Sequence, residues 1–525
     1  MADDVRGDLT ADARTVCDIV RTTIGPFGAN KLVVDTNGVV TTTASGSVVL
    51  DSLELDNPAV RILKSAASDF RETHSDGSSS VVAITGALLD EADRLADLGL
   101  QPTAIERGYR EALGVALERA ERSARPLESV GVGAVARTAM TGTRDPNSRA
   151  QIGGYVEQVA DALGGGFDAD RITVVSRLGG SQSETELVEG VVLDRDPAVE
   201  GMPRTLDDAG VAVLTETIDV ATIGSTTDRR EASLSMGPEG FEERAAIGER
   251  EREEFEATLD AAIDAGCRVI VTGMAANDRV ERTLANRGVL ALQRVDEPDL
   301  SVVARATGAT AVPGLEAVSE GTLGRANVGV TRHAGRDMTN VETVGSEREP
   351  VHTLFCRAPD PRSVDEFERA VESALAAATH ARGTGRVSPG GGATETAGAL
   401  AAREHARSVA EGRSLAIEAF GDALTTVPRT LAVNAGMDGW RGVVRLRVAH
   451  DEGRDAVGID CLAGGTRNVL AENEDPIAEP TALKRAIWEA ATELACRLVR
   501  IDAELPASDL SDDEDGTPSE REERR

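Results

Sequence analysis

Apolar residues near the start of the chain recur at helical spacing. Ala11, Val16, Ile19 and Val20 share one face, and the pattern predicts a helix that breaks at Gly25-Pro26-Phe27-Gly28. Leu32-Val33-Val34 and Val39-Val40 follow, separated by a turn containing Asn37-Gly38. This is a hairpin signal, because a tight turn needs positive φ and Asn-Gly adopts it at little cost. Two long helices are predicted over about 79–98 and 102–124, with Leu88, Leu89, Ala92 and Leu95 on one face of the first. The opening region is mostly α.

From about residue 200 short β-rich runs alternate with helical ones. Val211-Ala212-Val213-Leu214, Val269-Ile270-Val271, Val289-Leu290-Ala291-Leu292 and Thr310-Ala311-Val312 read as strands, separated by helices over 253–265, 277–285 and 300–306. That alternation predicts a compact α/β domain. After Pro389 the helical texture returns, notably over 481–501. The expected fold is multidomain: an α-rich domain split by an inserted α/β domain, with linking segments between. Residues 508–525, with Asp512-Asp513-Glu514-Asp515, are too charged and apolar-poor to pack and are expected to form a disordered tail. No internal repeat is present.

Composition narrows the setting. The 525 residues carry 90 acidic against 56 basic side chains, a formal charge of −34, and the only lysines are Lys31, Lys64 and Lys484. Arginine supplies the other cations. Crowded surface carboxylates are tolerable where concentrated salt screens them, so the balance is that of a salt-adapted protein. Such a surface argues against nucleic-acid binding and against anionic membranes, since both need clustered cations. No apolar run approaches the roughly 18 residues of a spanning helix, and Met1-Ala2-Asp3-Asp4 lacks an export pattern, so a cytoplasmic protein is expected. Cys17, Cys267, Cys356, Cys461 and Cys496 are far apart without a CxxC pair and read as reduced, mostly buried thiols; the six histidines show no zinc spacing.

Four segments have the chemistry to touch a phosphorylated ligand. In Thr22-Thr23-Ile24-Gly25-Pro26-Phe27-Gly28 the glycines let backbone amides approach an anion, although Gly-Pro loops also end many helices. Ser75-Asp76-Gly77-Ser78-Ser79-Ser80 stands directly before a helix, whose free N–H groups and partial positive charge favour phosphate, with Asp76 a candidate magnesium ligand. A plain N-cap uses the same residue types. Gly390-Gly391-Gly392-Ala393 opens another helix and fits either close approach by a ligand or a hinge. Glu479-Pro480 starts the last helix, where the carboxylate could accept hydrogen bonds from a ribose or simply belong to the helix start.

In this order the segments resemble those of the group II chaperonins, the thermosome family of archaea and its eukaryotic cytosolic relatives. The family's LGPKGMDK is matched by Ile24-Gly25-Pro26-Phe27-Gly28-Ala29-Asn30-Lys31, and its GDGTT by Ser75-Asp76-Gly77-Ser78-Ser79. Its GGGA is matched by Gly390 to Ala393, and its GxxEP and LRID by Ala478-Glu479-Pro480 and Leu498-Val499-Arg500-Ile501-Asp502. Gly190-Val191-Val192-Leu193-Asp194, Gly201-Met202-Pro203 and Ala306-Thr307-Gly308-Ala309 also look familial, so the resemblance spans nearly the whole chain.

The resemblance implies an all-α equatorial domain (1–133 and 389–507) that holds ATP and magnesium, an intermediate domain in two segments (134–198 and 351–388), and an α/β apical domain (199–350) that binds unfolded proteins. Its nucleotide contacts carry over to Thr23, Ile24, Gly25, Pro26, Asp76, Gly77, Ser78, Ser79, Gly391, Gly392 and Glu479, with Asp76 as catalytic residue and metal ligand. Identical or paralogous subunits would stack as two rings around a folding chamber, with the 32–40 hairpin at a subunit contact. A helical lid would occupy about 217–255, here unusually polar, with Phe241, Ile247 and Phe255 among many charges.

Two of the family's three catalytic aspartates are missing. The TNDG position lines up with Thr43-Ala44-Ser45-Gly46, and the DEVERxxxDAL helix with Asp365 to Leu375, placing Ser45 and Ser373 where carboxylates stand. Glu372 would leave its helix about 100° away from Ser373. The lysine after the family's AMTS is also absent, with Arg144 alone nearby. A serine is neither a charged metal ligand nor a useful base, so hydrolysis is expected to be slow or lost while binding persists. The competing expectation is a fully active ATP-driven foldase.

Overall fold

The computed structural model describes residues 2–34, 40–43, 45–53, 57–141, 145–163, 171–216, 253–333, 336–344, 351–410, 412–471 and 475–501. The Asn37-Gly38 turn, Arg144, most of the 217–255 lid segment and the 508–525 tail lie outside them. The chain divides into two compact units: the described residues of Met1–Pro126 with Arg386–Arg525, and Leu127–Gly385.

The first unit is a helical assembly built around Ser78–Asp97. Val81, Val82, Ile84, Leu88, Leu89 and Leu95 bury that helix on nearly every side, as its continuous apolar sequence requires. It packs on Ala2–Arg21, Gly412–Leu424 and Thr481–Val499. Gly86 permits the first crossing, since any side-chain carbon there would overlap Cys17. Tyr109, on Pro102–Ser123, is fully buried and donates its hydroxyl to Leu88 O at 2.8 Å, satisfying the one polar atom it brings into the core.

Three small sheets belong to the same unit among the described residues, one of them the antiparallel pair Val457–Asp460 and Gly465–Asn468. Lys31–Val34 pairs antiparallel with Val40–Thr43, Lys31 opposite Thr43, and leaves Leu32 and Val34 exposed at 68% and 59%. Arg386–Pro389 is the middle strand of three, pairing with Arg125-Pro126 on one side and Ala478–Pro480 on the other.

The second unit contains a six-stranded mixed sheet in the order Val191–Leu193, Arg336–Thr343, Gly324–His333, Thr205–Leu214, Cys267–Thr272, Leu290–Leu292. The last three are parallel, connected through helices that include 253–264 and Asp278–Asn286. Val211-Ala212-Val213-Leu214, Val269-Ile270-Val271 and Leu290-Ala291-Leu292 are all buried, as expected of parallel strands covered on both faces. The expected strand at Thr310-Ala311-Val312 reduces to a single bridge between Val312 and Leu214. A second sheet of Ile172–Leu178, His352–Ala358 and Glu186–Glu189 accompanies the helices Val132–Ala139, Pro146–Leu163 and Pro361–Thr384.

All five cysteines are buried, and burial pushes the Cys267 and Cys356 thiols up to about 11 and about 12, which leaves them unreactive. No helix among the described residues is long and apolar enough to cross a membrane. Gly86→Val should force the helices Ala2–Arg21 and Ser78–Asp97 apart and destabilise the first unit by about 1–3 kcal/mol, read as a lower thermal midpoint in high KCl.

Candidate functional site

Each of the four glycine- or carboxylate-bearing segments lies in the first unit, and contacts link them into a closed circuit. The loop after Ala2–Arg21 folds on itself through Gly28 N–H to Gly25 O at 3.0 Å and Ala29 N–H to Thr22 O at 2.8 Å. Gly25 has φ +86°, and a side-chain carbon there would lie 2.6 Å from Leu431 Cδ2. Asn434 fastens the loop by donating to Ile24 O at 2.8 Å and Thr22 O at 3.1 Å. Leu431 and Asn434 belong to Thr426–Asn434, and Pro428 of that helix packs on Gly392 at φ +75°. One helix thus seats both glycine segments.

The circuit continues through the three-stranded sheet. Ser388 is opposite Glu479, Gly390 N–H donates to Ile477 O at 2.8 Å, and Ile459 N–H donates to Gly391 O at 2.8 Å. A side-chain carbon at Gly390 would stand 3.1 Å from Glu479 Oε1. Lys484, in the first turn of Thr481–Val499, lies 2.6 Å from Glu479 Oε2 and is also ion-paired with Glu395. Burial opposes the Lys484 charge, but Glu395 and Glu479 outweigh it and hold the ammonium above its usual range. Burial likewise raises Glu479, with Lys484 working against the rise and Glu395 adding to it.

Asp76-Gly77 closes the circuit, since a side-chain carbon at Gly77 would lie 2.8 Å from Ile487 Cδ1 on the helix that carries Lys484. Asp76 is half-buried, and its Oδ1 accepts from Gly77 N–H at 2.7 Å. Desolvation pushes its carboxyl up to about 6, with Glu479 adding to the rise and the Gly77 amide and Lys484 opposing it. Gly77, at φ +88°, caps Ser78–Asp97 without any side-chain hydrogen bond. The first amides of the helix, at Ser78 and Ser79, have no i−4 carbonyl to reach, so they and the dipole favour an anion. Gly46 packs against Ser79 and would crowd Thr23 Oγ1 at 3.0 Å if it carried a side chain, which joins the helix start to the first loop.

Thr23 and Ile24 are buried, with Thr23 Oγ1 donating to Val20 O at 2.8 Å, while Pro26 is half-buried. Thr23, Gly25, Asp76, Gly77, Ser79, Gly391, Gly392 and Glu479 are therefore brought together, and Ser45 is near, directly before Gly46. Ser45 Oγ shares a hydrogen bond of 2.9 Å with Ser47 Oγ and does not cap the helix it precedes. Ser373 is half-buried and Glu372 exposed on Pro361–Thr384 of the second unit. Sequence reasoning missed Asn434, Glu395, Gly46 and Lys484; only Lys484 carried a signal, as one of three lysines in an arginine chain.

The donor set fits a magnesium-bound polyphosphate: first-turn amides at Ser78 and Ser79 that no side chain caps and a carboxylate at Asp76, flanked by the Gly25 loop and the Gly391-Gly392 turn, whose positive φ and close packing admit only glycine. Raising a carboxyl pKa in the folded state means that the native protein binds more protons than the unfolded chain between about pH 4 and 6, so stability falls as pH rises through that window. Asp76→Asn removes the penalty. It should stabilise the ligand-free protein at pH 7 by roughly 1 kcal/mol, a thermal midpoint about 2–4 °C higher, and the gain should vanish by pH 4.

The TCP-1/cpn60 chaperonin family model matches residues 16–508. Thermosome subunit 1 of Haloferax volcanii is 33% identical over 97% of this chain and 91% of its own length. The thermosome subunit of Methanopyrus kandleri is 35% identical over 95% and 91%, and thermosome subunit alpha of Halobacterium salinarum 32% identical over 96% and 88%. The match runs through both units and through every segment of the circuit, so the chain belongs to the TCP-1/cpn60 chaperonin family, as a group II subunit.

Proposed function

We propose that this chaperonin subunit binds magnesium-ATP in the first unit, assembles with copies or paralogues into stacked rings in the cytoplasm of a salt-adapted archaeon, and holds non-native proteins, with weak or lost hydrolysis. The observation that carries the reading is the circuit itself: segments up to about 450 residues apart in sequence pack against one another, with the uncapped start of Ser78–Asp97 and the Asp76 and Glu479 carboxylates among them. Amides of the Gly25 loop and of Ser78 and Ser79 would hold phosphates, Asp76 the metal, Gly391 and Gly392 the base, and Glu479 the ribose. Bound magnesium would supply charge neutralisation on the phosphates. In this reading 1–133 and 389–507 form the equatorial domain, 134–198 and 351–388 the intermediate one and 199–350 the apical one.

Slow turnover follows from Ser45 and Ser373. Carboxylates orient and polarise an attacking water, and losing a general base typically costs about 10²–10⁴ in rate. Assembly is supported by apolar surface that the first unit leaves uncovered: Leu32 and Val34 on the hairpin, and Trp440, Val444 and Val448 in a stripe on Gly439–Asp451.

The test is paired. Calorimetry in high KCl with magnesium should detect ATP binding that Asp76→Ala weakens at least about tenfold. Phosphate release should be near background in the parent and rise by about 10²-fold or more in Ser45→Asp/Ser373→Asp. Brisk release by the unaltered protein, abolished by Asp76→Ala, would establish instead the fully active foldase.

A further inference from the structure

We propose that Lys484 is a positioning residue of the nucleotide site, acting through Glu479. The inference rests on the reading of Glu479 as the ribose-facing carboxylate and adds what holds that carboxylate in place. The side chains of Lys484, Glu395 and Glu479 are 5%, 2% and 28% exposed, so the ammonium is sealed in while one carboxylate reaches outward. Lys484 engages Glu479 through Oε2, at 2.6 Å, whereas Oε1 faces the Gly390 backbone, where any side chain would crowd it. Pinning one oxygen presents the other. Had Glu479 no such partner, repulsion from Glu395 and Asp76 would turn it toward solvent.

Glu395 is the anchor of the arrangement. It stands in the first turn of Ala393–Ala406, the helix that the glycine triplet opens, and ion-pairs with Lys484 through Oε1, while its Oε2 is buried without a hydrogen-bond partner. The ammonium therefore ties three pieces: the glycine turn through Glu395, the Ala478–Pro480 strand through Glu479, and its own helix. A compact point charge on a flexible stem can sit between two buried carboxylates, whereas the planar guanidinium fork demands more room and fixed directions. This accounts for a lysine here in a chain that otherwise relies on arginine.

A purely structural role would weaken every nucleotide alike, but positioning of Glu479 affects only ligands with ribose hydroxyls. The experiment compares magnesium-ATP with magnesium-2′,3′-dideoxy-ATP by calorimetry on the full chain in high KCl. The parent should prefer ATP by about tenfold, the range of a charged hydrogen bond. Lys484→Met combined with Glu395→Gln, which leaves only the outward-reaching Glu479 without its ammonium, should lose the preference, its affinity for ATP falling about tenfold further than its affinity for the dideoxy nucleotide. Glu479→Gln should lose it equally, with no further loss when combined, and Lys484→Arg should not restore it. If the double variant does not fold, Lys484→Gln is judged by the same ratio. An unchanged preference in folded Lys484 variants, or an equal loss for both nucleotides, overturns the inference while leaving the ATP reading intact. Binding of neither nucleotide by the parent overturns both.

Discussion

The strand Arg386–Pro389 is the constraint on which the first unit depends, because it pairs with residues from both sides of a 259-residue excursion, Arg125-Pro126 and Ala478–Pro480. Backbone hydrogen bonds of this kind leave no freedom of register: Ser388 must face Glu479, and the glycines after it must run past Ile477 and Ile459. Once that register is set, the positive φ values at Gly391 and Gly392 turn the chain directly into a helix. The glycines are dictated by backbone approach. Ile459 and Pro428 occupy the space that side chains would need.

Charge is distributed in two regimes. Most ion pairs join arginine to aspartate or glutamate at partly exposed positions, for example Arg110 with Glu106 and Glu493, and each contributes little on its own in screened solvent. The Glu395–Lys484–Glu479 group is different, since taking charges out of water costs several kcal/mol per ion and demands close pairing. Such a group has little value as general stabilisation. Its place beside the glycine turn and Asp76 is what makes it intelligible.

Local patterns were legible where one face of an element is buried. The helices expected at 79–98 and 102–124 are Ser78–Asp97 and Pro102–Ser123, because Leu88, Leu89, Ala92 and Leu95 keep strict helical spacing. The strand at Thr310–Val312 was not, since three apolar-leaning residues carry no period, and only Val312 pairs. The hairpin Gly324–His333 with Arg336–Thr343 also escaped, its alternation broken by Gly329 and Asn340. For the site, the segments could be named from glycines and carboxylates alone. Their closure could not, because Asn434 on Ile24, Lys484 on Glu395 and Ser388 on Glu479 are tertiary facts with no local sequence signature.

The central claim is that these segments form one rigid cradle already in the ligand-free protein. Native-state hydrogen exchange at the amides of Gly390, Ile459 and Ile477, whose acceptors are Ile477 O, Gly391 O and Val469 O, measures it directly. The account predicts protection comparable with the centre of Ser78–Asp97 and further slowing on addition of magnesium nucleotide. Exchange at the rate of an open loop, unaltered by nucleotide, would contradict it.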